Sequence, residues 1–201
     1  SNNNNRVICI DNFSTGSLRN IESWLNDNRF ELINHDIVNQ FNFNNINVER
    51  IWHFACPASV SHYQYDPIKT STINFLGTLN MLQLASEAKA RILFASSSEI
   101  YGNPTIHPQS ESYYGNVNHI GERSCYVEGK RIAESLCLDF NRKHKTDIRI
   151  VRIFNTYGPR MKKNDGRVIS NLIYQALLDQ PITVYGDGSQ TRCFCYIEDL
   201  I

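Results

Sequence analysis

Charge of one sign, long apolar runs and a patterned set of cysteines are all missing from this sequence. Lysine plus arginine total 20 and aspartate plus glutamate total 20 among 201 residues. A chain without a net field has no general attraction for nucleic acid or for an anionic membrane surface. No run approaches the roughly 18 consecutive apolar residues of a membrane-spanning helix. Six cysteines, Cys9, Cys56, Cys125, Cys137, Cys193 and Cys195, follow neither a zinc-ligand nor a disulfide-framework spacing. The one close pair, Cys193-Phe194-Cys195, would share a strand face, and packing as small hydrophobes is the expectation rather than a metal or redox pair. Scattered free thiols point to a reducing compartment.

What is present is a rhythm of short strand, then helix. Strands are expected at Val7 to Ile10, Phe30 to Ile33, Ile51 to Phe54, Ile92 to Ala95 and Ile148 to Ile153. Helices are expected at Leu18 to Asn26, at Thr70 to Ala88 and at Cys125 to His144, where Ile132, Leu136 and Phe140 recur every fourth residue. This alternation predicts an α/β fold, a doubly wound parallel sheet covered on both faces. From Gly158 onward glycines break the chain, with a helix at Val168 to Leu178 and strands at Ile182 to Val184 and Cys193 to Ile197. The expected division is a sheet domain over 6–157 and the start of a second lobe over 158–201. Ser1-Asn2-Asn3-Asn4-Asn5 reads as a disordered lead-in. The first strand reads as the second of its sheet, and the chain stops inside an apparent helix start, so a fragment is expected.

Chemistry is expected where Tyr126 and Lys130 lie one helical turn apart on one face. A free tyrosine has a pKa of about 10 and is a poor base at neutral pH, but a nearby ammonium favours the phenolate. Ser97, at a strand end in Ser96-Ser97-Ser98-Glu99-Ile100-Tyr101-Gly102, would complete a proton relay on an alcohol. In a doubly wound sheet ligands bind at the carboxyl ends of strands. Asp11 stands at such an end, with Asn12 and Gly16 in the same loop. An acid there either caps its turn or accepts hydrogen bonds from an adenosine ribose, which favours NAD over NADP. Asp36 and Ile37 would meet the adenine edge, or form a plain loop. Ala55 opens the small-residue loop Ala55-Cys56-Pro57-Ala58-Ser59, suited to close cofactor approach or to a structural proline turn. Arg160, Arg167 and Arg192 carry guanidinium forks suited to a diphosphate, or are solvated. No Gly-x-x-Gly-x-x-Gly occurs to cradle a pyrophosphate at a helix N-terminus.

Taken together these motifs resemble the extended short-chain dehydrogenase/reductases that act on nucleotide sugars, and most closely the UDP-glucuronate decarboxylase branch. The resemblance runs from about Val7 to Ile201 and includes Asp11-Asn12-Phe13, Pro67-Ile68-Lys69-Thr70 and His107-Pro108-Gln109-Ser110-Glu111. Its more specific parts are Ser98-Glu99-Ile100-Tyr101-Gly102 and Asn164-Asp165-Gly166-Arg167-Val168. Ser97 stands where that branch usually has threonine, which keeps the hydroxyl, and the Asn-rich segment Val38 to Val48 reads as a longer surface loop.

The resemblance implies a resident NAD and a redox-neutral cycle on UDP-glucuronate. Tyr126 would take the proton from the carbon 4 hydroxyl, Lys130 would lower the tyrosine pKa and bind the nicotinamide ribose, and Ser97 would hold the reacting oxygen. The 4-keto uronate then loses carbon dioxide, with Ser98 and Glu99 at the carboxylate end, and re-reduction gives UDP-xylose. Asn155, Arg160, Arg167 and Arg192 would hold the nucleotide sugar, no metal is needed, and a homodimer is expected. The alternatives are a 4,6-dehydratase, a 4-epimerase or a non-catalytic relative of the fold. A cytoplasmic and a Golgi-lumenal location both stay open.

Overall fold

A computed structural model of the chain describes residues 5–41, 46–163 and 165–201. Most of the Asn-rich lead-in, part of the expected 38–48 loop and Asn164 of the Asn-Asp-Gly-Arg-Val stretch lie outside the described residues. β1 (Val7–Asp11) pairs in parallel with β2 (Phe30–Asn34). A second parallel ladder runs in the order β3 (Arg50–His53), β4 (Arg91–Ser97), β5 (Ile148–Ile153). A third joins β6 (Asn155–Tyr157) to β7 (Phe194–Tyr196). Parallel neighbours need long crossovers, and helices supply them. Between β3 and β4 come α1 (Val60–Tyr65), α2 (Pro67–Thr72), a π-helical turn (Ile73–Gly77) and α3 (Thr78–Ala88). Between β4 and β5 comes α4 (Ser124–His144), and α5 (Val168–Leu177) and α6 (Ile197–Leu200) follow. The α/β architecture with parallel strands is as the sequence leads one to expect.

One core serves both larger ladders. Ile92 and Phe94 of β4, Leu82 and Ala85 of α3, and Ala133 and Cys137 of α4 are buried together with Ile37, and Ile10 of β1 packs against them. Each large side chain fully buried there stabilises the fold by about 1.5–3 kcal/mol. Cys137 acts in this core as a hydrophobe, and all six cysteines are free thiols. α4 ends on Arg142, Lys143 and His144, cations that suit the carbonyl end of a helix, and Lys145 closes it in the left-handed region. Gly129 of α4 faces Asn74 of the π turn so closely that a Cβ would lie 2.9 Å from the Asn74 Cβ.

Several elements differ from the sequence expectation. Leu18 to Asn26 holds two 3-10 turns, Leu18–Asn20 and Glu22–Trp24, because Leu18, Trp24 and Leu25 stay exposed and an isolated short helix is marginal. The long helix begins earlier, at Pro67, where the Asp66 carboxylate accepts the Lys69 N–H at 2.9 Å. Ile182 to Val184 is not a strand: its β-branched residues are exposed, and among the described residues no strand pairs with them. β6 ends at Tyr157, the last residue of the expected sheet domain, and pairs with β7 in the second segment. A ladder therefore ties the two segments together.

Candidate functional site

Tyr126, Lys130 and Glu134 recur every fourth residue on α4, and all three are buried, at 5, 4 and 9% exposure. They meet the last three residues of β4. The Lys130 Nζ donates to the Ala95 carbonyl at 2.8 Å, and the Ser96 Oγ donates to Glu134 Oε1 at 2.5 Å. The Ser97 hydroxyl is near enough to the Tyr126 phenol to favour its ionised form, and it accepts the Glu99 N–H at 3.2 Å, capping the 3-10 turn Ser98–Tyr101. Glu134 is held further by Arg152 of β5, whose Nε and Nη2 lie 3.1 and 2.8 Å from its two oxygens. Strand end and helix face are thus locked in one register, which brings Ser97, Tyr126 and Lys130 together as expected.

The electrostatics depart from the expectation. Burial pushes the Tyr126 phenol above its ordinary value, and Cys56, Glu99 and Tyr63 add to the rise while the Ser97 hydroxyl opposes it. From the sequence, Lys130 is expected to lower it. Instead the Lys130 ammonium sits 5.8 Å from the Tyr126 ring centroid and 4.8 Å from that of Phe94, with the Ala95 carbonyl as its acceptor. Burial lowers the Lys130 pKa, against Cys56, Cys137 and Glu134, which raise it. Desolvation of the phenolate dominates in this arrangement.

Glu99 pairs with Arg123, the residue before α4, at 2.5 Å, and Ser98 beside it is half-buried. Arg123 Nε also donates to the Tyr63 hydroxyl at 2.8 Å, and the Tyr63 ring stacks on Tyr126 with centroids 4.8 Å apart and planes 10° apart. Sequence reasoning missed Tyr63 and Arg123. The signal for Arg123 was its place one turn ahead of Tyr126.

Asp11, Asn12, Gly16, Asp36, Ile37 and Ala55 all line one cavity of about 120 Å³ at the carboxyl ends of β1, β2 and β3. The Asp11 Oδ1 accepts the Phe13 N–H at 2.7 Å. A Cβ at Gly16 would stand 3.3 Å from Asp11 Oδ2, so glycine keeps that oxygen approachable. Burial raises the Asp36 pKa, but the Lys69 ammonium at 2.6 Å and the Val38 N–H leave it lowered on balance. These acceptor carboxylates suit the hydroxyls of a dinucleotide's ribose and the amino edge of its adenine.

A second cavity of about 970 Å³ is lined by Arg19, Arg160, Lys162 and Arg167 together with Thr15 and Ser17, among others. Cys56 belongs to the walls of both cavities and is felt electrostatically by Tyr126 and Lys130, so it marks where cavities and buried pair adjoin. Arg160 Nη1 donates to the Asn20 carbonyl at 3.2 Å, and Arg167 is ion-paired to the buried Asp165. Asn155 and Arg192 lie outside the walls of both cavities; Asn155 Nδ2 reaches the Cys193 carbonyl at 3.4 Å, and Arg192 donates to the Thr191 carbonyl.

The NAD dependent epimerase/dehydratase family matches residues 1–201. The chain is 56% identical over 200 residues to UDP-glucuronic acid decarboxylase 3 of Arabidopsis thaliana, covering 100% of this chain and 58% of that protein. It is 54% identical over 195 residues to UDP-glucuronic acid decarboxylase 1 of Xenopus tropicalis, covering 97% of this chain and 46% of that protein. It thus spans about half the length of these relatives. Among solved structures it superposes on the UDP-glucuronic acid 4-epimerase from Bacillus cereus in complex with UDP-glucuronic acid and NAD. That match has a TM-score of 0.83 at 28% identity and covers 97% of this chain and 62% of the other.

Proposed function

This chain belongs to the NAD dependent epimerase/dehydratase family, and from that premise we propose that the whole protein is an NAD-dependent UDP-glucuronate decarboxylase producing UDP-xylose. The observation that carries this reading is the junction at Cys56: a cavity suited to adenosine, a larger basic cavity and the buried Ser97–Tyr126–Lys130 group adjoin there. The names of relatives at 54 and 56% identity support it.

In this reading 6–157 carries NAD and 158–201 begins the lobe that holds the nucleotide sugar. Asp11 accepts from the adenosine ribose, with Asn12, Gly16, Asp36, Ile37 and Ala55 around it. NAD, when bound, supplies the oxidant that takes the carbon 4 hydrogen and later returns it. Positive charge brought to this site by the oxidised cofactor would favour the Tyr126 phenolate that burial alone disfavours. Tyr126 takes the proton of the carbon 4 hydroxyl, Ser97 hydrogen-bonds that oxygen, and Lys130 adds cationic charge beside the pair. Once carbon 4 is a ketone, the carboxylate is β to it. Loss of carbon dioxide then needs stabilisation of an enolate oxygen, which Tyr126 and Ser97 provide by hydrogen bonding. Ser98 and Glu99 face the carboxylate end, and Arg160 and Arg167 face the diphosphate. A dehydratase would ask for an acid where Ser98 stands, and a serine is too weak an acid to release hydroxide.

The experiment is incubation of the whole protein with UDP-glucuronate and NAD. Carbon dioxide and UDP-xylose are expected; a 4-epimer or a dehydrated sugar without carbon dioxide would replace this reading by one of its alternatives. NAD should bind more tightly than NADP, because the Asp11 carboxylate repels a 2′-phosphate. Equal binding in titrations of the two would remove Asp11 from its role.

A further inference from the structure

The pairings of Arg123 join two parts of the site that the chemistry above leaves unconnected. Tyr126 comes from α4 and Glu99 from the turn after β4, and Tyr63, from α1, is 1% exposed and lies flat against Tyr126. Arg123 stands at the N-terminal boundary of α4 and touches both outer members. Its Nε and Nη2 form one edge of the planar guanidinium and reach the Tyr63 hydroxyl at 2.8 Å and the Glu99 carboxylate at 2.5 Å. A fixed fork serves two acceptors at once, which a lysine point charge cannot do.

We infer that Arg123 is a positioning residue of this site, fixing the Tyr126 ring through Tyr63 and cancelling the Glu99 charge beside the Tyr126 hydroxyl. The inference rests on Tyr126 being the acid–base residue. The groups that act electrostatically on that hydroxyl are Cys56 from the loop after β3, Tyr63 from α1, Ser97 at the end of β4 and Glu99 from the turn after it, while Lys130 from its own helix lies 5.8 Å from the ring centroid. The Lys130 ammonium is hydrogen-bonded to a backbone carbonyl. Arg123 is therefore the cation set against Glu99. Without it a bare carboxylate faces the forming phenolate, and like charges disfavour ionisation.

The test uses the whole protein with NAD and UDP-glucuronate, following the single-turnover rate of NADH formation against pH. Arg123→Gln should move the acid limb to higher pH by about 0.5–1 unit. Adding Glu99→Gln should bring the limb back, because the uncompensated charge is gone. Arg123→Lys should leave the limb in place and still slow the reaction, since charge is kept while the fork is lost. An unmoved limb in Arg123→Gln, or an undiminished rate in Arg123→Lys, would overturn the inference; a merely structural role would lower stability and amplitude without moving the limb. A crystal structure of Arg123→Gln gives a readout without activity. The Tyr63 ring should leave its parallel contact with Tyr126, and an unchanged stack and Glu99 position would refute positioning. If the unmodified protein forms neither NADH nor carbon dioxide, the proposed function fails, while the crystallographic arm still decides the role of Arg123. Should Arg123→Gln not fold, Arg123→Lys carries the rate comparison and the crystallographic arm, in which the Tyr63 ring should leave its parallel contact with Tyr126.

Discussion

Tyr126 sits where a phenolate is unfavourable until positive charge reaches it, so its hydroxyl should be decisive for chemistry and minor for folding. Tyr126→Phe should lower hydride transfer by roughly 10²–10⁴-fold and leave the urea unfolding midpoint nearly unchanged. Lys130→Met should act in the same direction. Both are checked by following NADH absorbance and carbon dioxide together, and carbon dioxide release at the unmodified rate in Tyr126→Phe would defeat the mechanism at its first step. Glu99→Gln should differ, with NADH forming and then lingering as the 4-keto sugar turns over slowly. His53 offers a separate pH signature. It is buried against the Thr78 hydroxyl at 3.0 Å, and burial, with the Lys130 charge second, lowers its pKa from 6.5 to about 3. Between those two values the unfolded chain binds a proton that the folded one refuses, so stability rises with pH there and is lost as pH falls from about 6.5 to 3. His53→Gln should flatten that part of a melting-temperature profile.

At the scale of elements, α4 is fixed against β4, β5 and the π turn by buried polar contacts and one glycine. Arg152 and Glu134 are 26 and 11% exposed as side chains, and Ser96 shares the carboxylate. Arg152→Met leaves that charge buried without its cation and should cost about 3 kcal/mol, the lower end for a buried pair, read from urea denaturation. Gly129→Ala should cost about 1–3 kcal/mol, because the new methyl meets Asn74, itself fixed by Thr70 and Cys56. The same variant should slow catalysis, since Tyr126 and Lys130 ride on the helix that must shift. An alanine variant as stable as the parent would mean that α4 and the π turn separate freely.

For the whole molecule we propose a homodimer built on the two long helical segments. Each leaves large apolar side chains exposed, Ile68 and Phe75 on the first and Ile132 and Leu138 on α4. A two-fold interface places the same patch on both subunits and buries about 800 Å² on each. Light scattering at micromolar concentration should give twice the protomer mass, and Ile132→Asp should give a folded monomer. A protomer mass for the unmodified protein would contradict the proposal.

What the sequence determined by itself was local or periodic. Four-residue spacing put Tyr126 and Lys130 on one helix face, and apolar strand runs alternating with helices announced the parallel α/β fold. The acids and small residues at or just past the ends of β1, β2 and β3 could be chosen because parallel strands all end on the same side, and they do line one cavity. Spacing is silent about desolvation, however, and only the tertiary structure decided that Tyr126 is buried deeply enough for its pKa to rise. Nor does a pattern show which distant groups converge. Tyr63 and Arg123 are 60 positions apart and meet at a single hydrogen bond, while Arg192, which the sequence placed with the ligand, lies outside both cavities. The helix expected at Leu18 to Asn26 failed for the same reason: an apolar period becomes a helix only where another surface buries it, and that surface is a property of the fold.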